Sequence, residues 1–194
     1  MNKTAELSNR GGNELRVVTA SRLSAEKNQG LLAEAFSRIA DKYPEAVLLL
    51  YGKDNCDGTS DYVKSIAKDN GLEDRIRLMG AYNNVADELL KADVFVLPSN
   101  FEGMPNALIE AMSIGLPAIA TDCPCGGPAS LIESGENGIL VPTGDAEAMA
   151  EAIDKLLSDK QLRMDMGKRA TAIRKLVDTD TVYGQWKEYM ETLV

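Results

Sequence analysis

The chain alternates short apolar runs with longer amphipathic segments, and this alternation limits its fold more than any other feature of the sequence. Each apolar run has the length of a buried strand, and the segments between them have helical spacing. Strands that alternate with helices in this way form a parallel sheet with helices on both faces. The sequence therefore predicts a doubly wound α/β fold with about six strands. The predicted strands are Leu15–Ala20, Ala46–Tyr51, Arg75–Met79, Val94–Leu97, Pro117–Ala120 and Gly138–Val141.

The segments between the strands carry residues that commonly begin and end helices. Pro105 stands near the first turn of one segment and Gly115 just past its end. Asp145 is a suitable N-cap for another. The polar residues 1–14 are expected to form a flexible lead-in, so the folded domain is predicted to span residues 15–194. The predicted helical segments are Asn28–Lys42, Asp61–Asn70, Val85–Lys91, Pro105–Ile114, Pro128–Ser134, Asp145–Ser158, Lys160–Leu176 and Thr181–Leu193.

Composition argues against several classes of function. The 194 residues suffice for one domain with a sizeable core, and their net charge of −9 argues against nucleic acid or an anionic membrane as a partner. No apolar run approaches the roughly 18 residues that span a bilayer, and residues 1–14 lack the apolar core of a secretory signal. Three cysteines favour a reducing compartment, so we expect a cytoplasmic location. The absence of histidine excludes Ser-His-Asp, Cys-His and His-metal chemistry within this chain.

The most informative polar segment follows the fourth predicted strand and reads SNFEGMPNALIEAM over residues 99–112. A helix that begins at about Asn106 would present free N–H groups suited to a phosphate, and Gly103 would let a ligand approach the backbone. Glu110 lies four residues after Asn106 and therefore on the same helix face, while Glu102 precedes the helix. On spacing alone, a solvated loop glutamate followed by a surface glutamate explains the segment about equally well.

The wording of this segment is more specific than its spacing. Glu102 and Glu110 form an E-x7-E pair inside EGMPNALIEAMSIGLPAIATD, which resembles the signature of retaining GT-B glycosyltransferases of group 1. Many bacterial sugar transferases of polysaccharide assembly belong to this group. The resemblance runs from about Leu15 to the C-terminus. It implies the donor-binding C-terminal domain of such an enzyme, which is one Rossmann-like half of a GT-B fold.

The resemblance assigns roles to individual residues of the segment. Glu110 would hold the ribose hydroxyls of the nucleotide, since a carboxylate can accept from both hydroxyls of a cis-diol. Glu102 would face the donor sugar near the transferred carbon. The backbone amides that would line the sugar and the diphosphate are those of Gly103, Met104, Asn106 and Ala107.

A second segment supports the resemblance. The run TASRLSAEKN over residues 19–28 is similar to the family's loop in which an arginine and a lysine bind the donor diphosphate. The corresponding residues are Arg22 and Lys27, although Ser21 stands where the family often has glycine. Fixed cations stabilise the charge on a departing nucleoside diphosphate, so these two residues and Glu102 are the predicted catalytic residues. The alternative is surface charge near the start of a helix.

The nucleobase would lie at the end of the third predicted strand. Met79 and Tyr82 are the predicted contacts there, and Tyr82 is expected either to stack on the base or simply to pack. The family contacts the base mostly through backbone atoms, so side chains do not identify it. A UDP-sugar or a GDP-sugar is the expected donor.

No metal or other cofactor is expected. Cys123 and Cys125 form a C-x-C pair with one distant cysteine and no histidine, which is poor zinc chemistry. Asp54 and Asp57 lie in a glycine-containing loop where turn formation is the simpler role. The resembled family binds diphosphate without a metal.

For the complete enzyme, the resemblance implies transfer of a hexose from a nucleotide diphosphate sugar to an acceptor with retention of configuration. The acceptor domain would precede residue 15 and is the expected partner of this chain, which alone is expected to be inactive. The full enzyme could be peripheral to a membrane. Two alternatives stay open: a non-catalytic nucleotide-binding or interaction module of the same fold, and part of a nucleotide-sugar epimerase.

Overall fold

A computed structural model describes residues 14–82 and 84–192, and it contains one sheet of six parallel strands. The strand order is β3-β2-β1-β4-β5-β6, and every described pairing between neighbours is parallel. This confirms the predicted Rossmann-like α/β fold. The strands are β1 (Leu15–Ala20), β2 (Ala46–Tyr51), β3 (Ile76–Gly80), β4 (Val94–Leu97), β5 (Ala118–Asp122) and β6 (Ile139–Pro142).

The helices begin and end within a few residues of the predicted bounds, with one exception. The predicted helix Lys160–Leu176 is wrong in its continuity, because the chain turns at Thr171 and Ala172 and divides it into two. The helical turn predicted at Pro128–Ser134 is a 3-10 turn that spans Pro128–Ser130. The helices are α1 (Gln29–Ile39), α2 (Thr59–Asp69), α3 (Val85–Leu89), α4 (Asn106–Ser113), α5 (Ala146–Ser158), α6 (Lys160–Ala170), α7 (Ile173–Leu176) and α8 (Thr179–Glu191).

Two apolar cores cover the two faces of the sheet. Along β2, Leu48 and Leu50 face the core formed with α1, α2 and α5, whereas Val47, Leu49 and Tyr51 face the core formed with α3, α4, α6 and α7. This alternation follows from the two-residue period of a strand, and burial on both faces explains why β2 is apolar throughout. Among the described residues, no helix is both long enough and apolar enough to cross a bilayer.

The strand order places a crevice at the carboxyl edge of the sheet. β1 lies between β2 and β4. After β1 the chain adds β2 and β3 on one side of that strand, and it then returns to add β4 on the opposite side of β1. The helices that follow these two strands, α1 and α4, pack on opposite faces of the sheet, and a crevice lies where the two connections separate. Ligands of doubly wound folds bind at this switch point.

Candidate functional site

The loops that follow β1 and β4 are joined by hydrogen bonds across the switch point. The Asn100 backbone N–H donates to the Glu26 carbonyl at 2.8 Å, and its side-chain amide donates to the Ala25 carbonyl at 3.0 Å. Asn28 in turn donates to Asn100 Oδ1 at 3.0 Å. These bonds bring the two segments that the sequence singled out, residues 19–28 and 99–112, to one place.

Gln29, in the first turn of α1, stabilises the loop after β1 through side-chain hydrogen bonds. It is fully buried, and its Nε2 donates to Ser21 Oγ and to the Arg22 carbonyl, both at 2.8 Å. Its Oε1 accepts from the Ser24 backbone N–H at 3.2 Å. Sequence reasoning missed this residue, although an amide side chain at the buried start of a helix is the kind of signal that could have identified it.

Lys27 and Glu102 form an ion pair between the two loops. Lys27 Nζ lies 2.8 Å from Glu102 Oε1, and their side chains are only 15% and 10% exposed. Ser99 Oγ donates to the same oxygen at 2.8 Å, and Glu26 lies 3.1 Å from the ammonium. Burial acts to lower the pKa of Lys27, but the hydrogen bonds and charges of Glu102 and Glu26 outweigh it, so the pKa is raised. The Lys27 charge is thus compensated locally.

A cleft of about 360 Å³ opens at the ends of β1, β2 and β3 and at the start of α4. It brings together five of the residues singled out by the sequence: Arg22, Tyr82, Asn106, Ala107 and Glu110. The other lining residues are Ala20, Ser21, Tyr51, Gly52, Lys53, Ala81 and Val85.

The remaining candidates lie outside the cleft lining. Met79 is exposed at the end of β3, and Met104 is 65% exposed in the loop before α4. The carbonyl oxygen of Gly103 packs against Gly127, where an added Cβ would come within 1.7 Å of it. Lys27 contacts Glu102 and does not line the cleft.

Two tyrosines form the apolar wall of the cleft. The Tyr82 ring is 50% exposed and meets the Tyr51 ring edge-on, with centroids 5.6 Å apart and planes at 81°. The Tyr51 hydroxyl donates to Glu88 Oε2 at 3.2 Å. Burial and the neighbouring Glu88 carboxylate raise the pKa of Tyr51 to about 12, so this phenol stays neutral at physiological pH. Tyr82 therefore packs on a fixed, uncharged ring and still exposes half of its own surface.

The loop after β2 forms another wall of the cleft through Gly52 and Lys53. Gly52 has a φ of +151°, and a Cβ added there would lie 1.8 Å from the Ser21 carbonyl oxygen. The next residue, Lys53, lines the cleft and was missed by the sequence analysis. A polar residue directly after a buried strand, at the edge where ligands bind, was the available signal.

Asp54 and Asp57 stabilise this loop through hydrogen bonds. Asp54 accepts from the Cys56 N–H at 2.9 Å and from Ser60 Oγ at 2.6 Å. Asp57 accepts from the N–H groups of Ala25 at 2.9 Å and Thr59 at 3.1 Å, and its hydrogen bonds lower its pKa to about 2. These contacts agree with the turn-forming role predicted for both aspartates.

The cysteines at the fifth strand are unpaired thiols. Cys123 is buried, which raises its pKa, whereas Cys125 is exposed with a φ of +76°. Among the described residues, no three His, Cys, Asp or Glu side chains are grouped so as to hold a metal ion.

Comparison with known families identifies the chain. The family model described as glycosyl transferases group 1 matches residues 3–173, which is most of the 194-residue chain. The chain belongs to this glycosyltransferase family. The membership agrees with the resemblance carried by residues 15 onward in the sequence.

This glycosyltransferase family member matches only part of the length of its relatives, which are longer. An exopolysaccharide phosphotransferase of Streptomyces coelicolor is 32% identical over 92% of this chain, which spans 19% of that protein. The lipopolysaccharide core biosynthesis glycosyltransferase LpsE of Rhizobium meliloti is 32% identical over 79% of this chain and is covered to 42%. The chain therefore spans less than half the length of either relative.

A solved structure shows the same architecture. HepE of Anabaena, crystallised in complex with UDP, superposes with a TM-score of 0.82 and is 28% identical. The match covers 93% of this chain and 49% of the HepE chain. The Rossmann-like sheet of this family member thus corresponds to one half of a GT-B glycosyltransferase.

Proposed function

We propose that this chain is the donor-binding domain of a glycosyltransferase that moves a sugar from a nucleotide diphosphate sugar to an acceptor with retention of configuration. One observation carries the proposal: Arg22, Glu110, Tyr82 and the first turn of α4 line a single cleft at the switch point of the sheet. These groups match the parts of a nucleoside diphosphate. The cation and the helix N-terminus suit the phosphates, the carboxylate suits the ribose hydroxyls, and the aromatic ring suits the base.

Each part of the nucleotide has a suitable partner in this cleft. No side chain caps the first turn of α4, so the N–H groups of Asn106 and Ala107 can donate hydrogen bonds to a phosphate oxygen. Arg22 can add a charge-assisted hydrogen bond to the diphosphate. Glu110 is exposed one turn further along α4 and can accept from both ribose hydroxyls. The half-exposed ring of Tyr82 can pack on the base.

Glu102 would face the donor sugar near the transferred carbon, and it is not the nucleophile of the proposed step. Ser99 and Lys27 both bind its Oε1, which fixes the carboxylate beside the loop that enters α4. In the proposed step, the acceptor hydroxyl forms a bond to the anomeric carbon as the bond to the β-phosphate oxygen breaks on the same face. The acceptor proton passes to the departing diphosphate. Electrostatic stabilisation of that diphosphate by Arg22 and the α4 amides lowers the barrier.

The acceptor site is proposed to lie in another domain of the complete enzyme, since the relatives are longer than this chain. The chain alone would then bind the donor nucleotide with little transfer. Normal transfer by the purified chain would contradict this part of the proposal.

The test is a calorimetric titration of the purified chain with UDP, GDP and ADP, without and with magnesium. We expect one diphosphate to bind without a requirement for metal, and Arg22→Ala and Glu110→Ala to weaken binding at least fivefold. Arg38→Ala and Glu147→Ala are matched controls, because both residues are exposed on helices and do not line the cleft. Absence of binding to all three nucleotides would overturn the proposal.

A further inference from the structure

We propose that Lys53 is a phosphate-binding residue of the cleft, which contacts the diphosphate of the donor together with Arg22. This inference rests on the proposed function, because it assigns a further contact to the same nucleotide. It adds a cation from a different loop to those that the sequence indicated.

The backbone holds Lys53 in a fixed place beside Arg22. The Leu23 N–H donates to the Lys53 carbonyl at 2.9 Å, and the Asn55 N–H donates to the Leu23 carbonyl at 3.0 Å. Gly52 permits this approach, because any side chain there would collide with the Ser21 carbonyl. The residues that flank Arg22 are therefore in direct contact with those that flank Lys53, and both side chains line the cleft.

The ammonium of Lys53 is available to a ligand. Its side chain is exposed, and none of the ion pairs within the described part of the chain involves it. Lys27 differs in both respects, since it is largely buried and is paired with Glu102 and Glu26. The two lysines near the site are thus not equivalent.

The charge balance of the cleft favours a second free cation. The ionised side chains that line it are Arg22, Lys53 and Glu110, while Tyr51 is held neutral. Without Lys53, the charges of Arg22 and Glu110 would cancel, and a dianionic or trianionic diphosphate would enter a cleft of no net charge in a protein of net charge −9. Lys53 makes the cleft positive.

The inference is tested by titrating the wild-type chain with UDP, GDP and ADP, and then Lys53→Met with the diphosphate that binds and with its nucleoside, for example UDP and uridine. If Lys53 contacts phosphate, Lys53→Met weakens UDP about fivefold, leaves uridine within about twofold, and reduces the salt dependence of UDP binding. Lys53→Arg should retain most of the affinity. Lys68→Met is the matched control, because it removes the same charge from an exposed site on α2.

Each other outcome overturns the inference in a recognisable way. Unchanged UDP affinity in Lys53→Met would show that Lys53 does not contact the nucleotide. An equal loss for uridine and UDP would assign Lys53 to the base or the ribose. If the wild-type chain itself binds no nucleoside diphosphate, the proposed function fails along with the inference, and the wild-type titration alone reveals this. Circular dichroism of each variant verifies that the fold is intact.

Discussion

Lys27 Nζ lies 2.8 Å from Glu102 Oε1, and this contact joins two loops that are 75 residues apart in sequence. The pair is largely shielded from water. Loss of Lys27 would therefore leave the Glu102 carboxylate without its cation, and loss of Glu102 would leave Lys27 with the exposed Glu26 alone. It occurs at the switch point of the sheet, where the proposed donor site is built. The pair therefore bears both on the stability of the domain and on the position of Glu102.

We predict that Glu102→Gln lowers the free energy of unfolding by about 2 kcal/mol, because Lys27 keeps only the exposed Glu26 as a partner. A double-mutant cycle with Lys27→Met should give a coupling free energy of about 1–2 kcal/mol between the two residues. Urea unfolding of the wild type, both single variants and the double variant measures it. The exposed pair of Lys64 and Asp61 is the control, and a coupling at Lys27–Glu102 no larger than at that pair would contradict the prediction.

The pKa of Tyr51 leads to a prediction at alkaline pH. Its pKa is about 12 in the folded chain and near 10 when unfolded, so the folded state keeps the proton longer. A group with a raised folded pKa contributes stability that is fully present below pH 10 and is lost between about pH 10 and pH 12. We expect a loss of about 1–2 kcal/mol over that interval from this residue, measured by urea unfolding at a series of pH values.

The control for this prediction separates Tyr51 from the other titrating groups. Tyr51→Phe should reduce the alkaline loss of stability, whereas Tyr183→Phe should leave it unchanged, because Tyr183 is 69% exposed on α8. Parallel pH profiles for Tyr51→Phe and the wild type would count against a raised pKa at this position.

The strands were the most predictable part of the fold. Leu15–Ala20, Ala46–Tyr51 and Val94–Leu97 occur with the predicted bounds. The last two are continuous apolar runs, and Leu15–Ala20 is apolar except for Arg16 and Thr19. Burial on both faces of a parallel sheet requires such runs, and few other structures fit them.

The break between α6 and α7 was not predictable, because long-range contacts determine it. No glycine or proline marks Thr171, which forms i to i−3 bonds with Lys168. Gly167 packs on Gly115, where a Cβ would lie 2.3 Å from the Gly115 carbonyl oxygen. Arg174 donates to the Ser113 carbonyl at 2.6 Å at the end of α4. Docking against α4 therefore turns the chain where local propensity favours a continuous helix.

The sequence indicated the individual segments of the candidate site, but it did not indicate which residues of different loops contact one another. The loop over residues 19–28 and the α4 segment were visible as motifs, and the cleft contains Arg22, Glu110 and Tyr82 from three separate segments. The pairing of Lys27 with Glu102, and the entry of Lys53 into the cleft, depend on which loops meet at the sheet edge. Motif spacing within one segment carries no such information.

Gln29 provides a prediction that links stability to binding. Gln29→Ala removes the donors to Ser21 and Arg22 and the acceptor for Ser24, so it should lower the free energy of unfolding by about 1–3 kcal/mol. It should also weaken nucleoside diphosphate binding, because the Arg22 loop loses its support. Gln161→Ala is the control, because Gln161 is an exposed residue of α6. Unfolding curves and titrations that coincide with those of the wild type would refute a supporting role for Gln29.

Two glycines of the loop after β2 allow strain and steric collision to be separated. Gly58 has a φ of +91° with no atom within 4 Å of an added Cβ, so Gly58→Ala should cost only the strain of its backbone, about 1 kcal/mol. At Gly52 the added Cβ would lie 1.8 Å from the Ser21 carbonyl, so Gly52→Ala must displace the loop that carries Arg22. We therefore predict that Gly52→Ala is the more destabilising by urea unfolding and that it alone weakens nucleoside diphosphate binding in calorimetry. Equal effects of the two substitutions on binding would show that the close approach of Gly52 to Ser21 does not form the cleft.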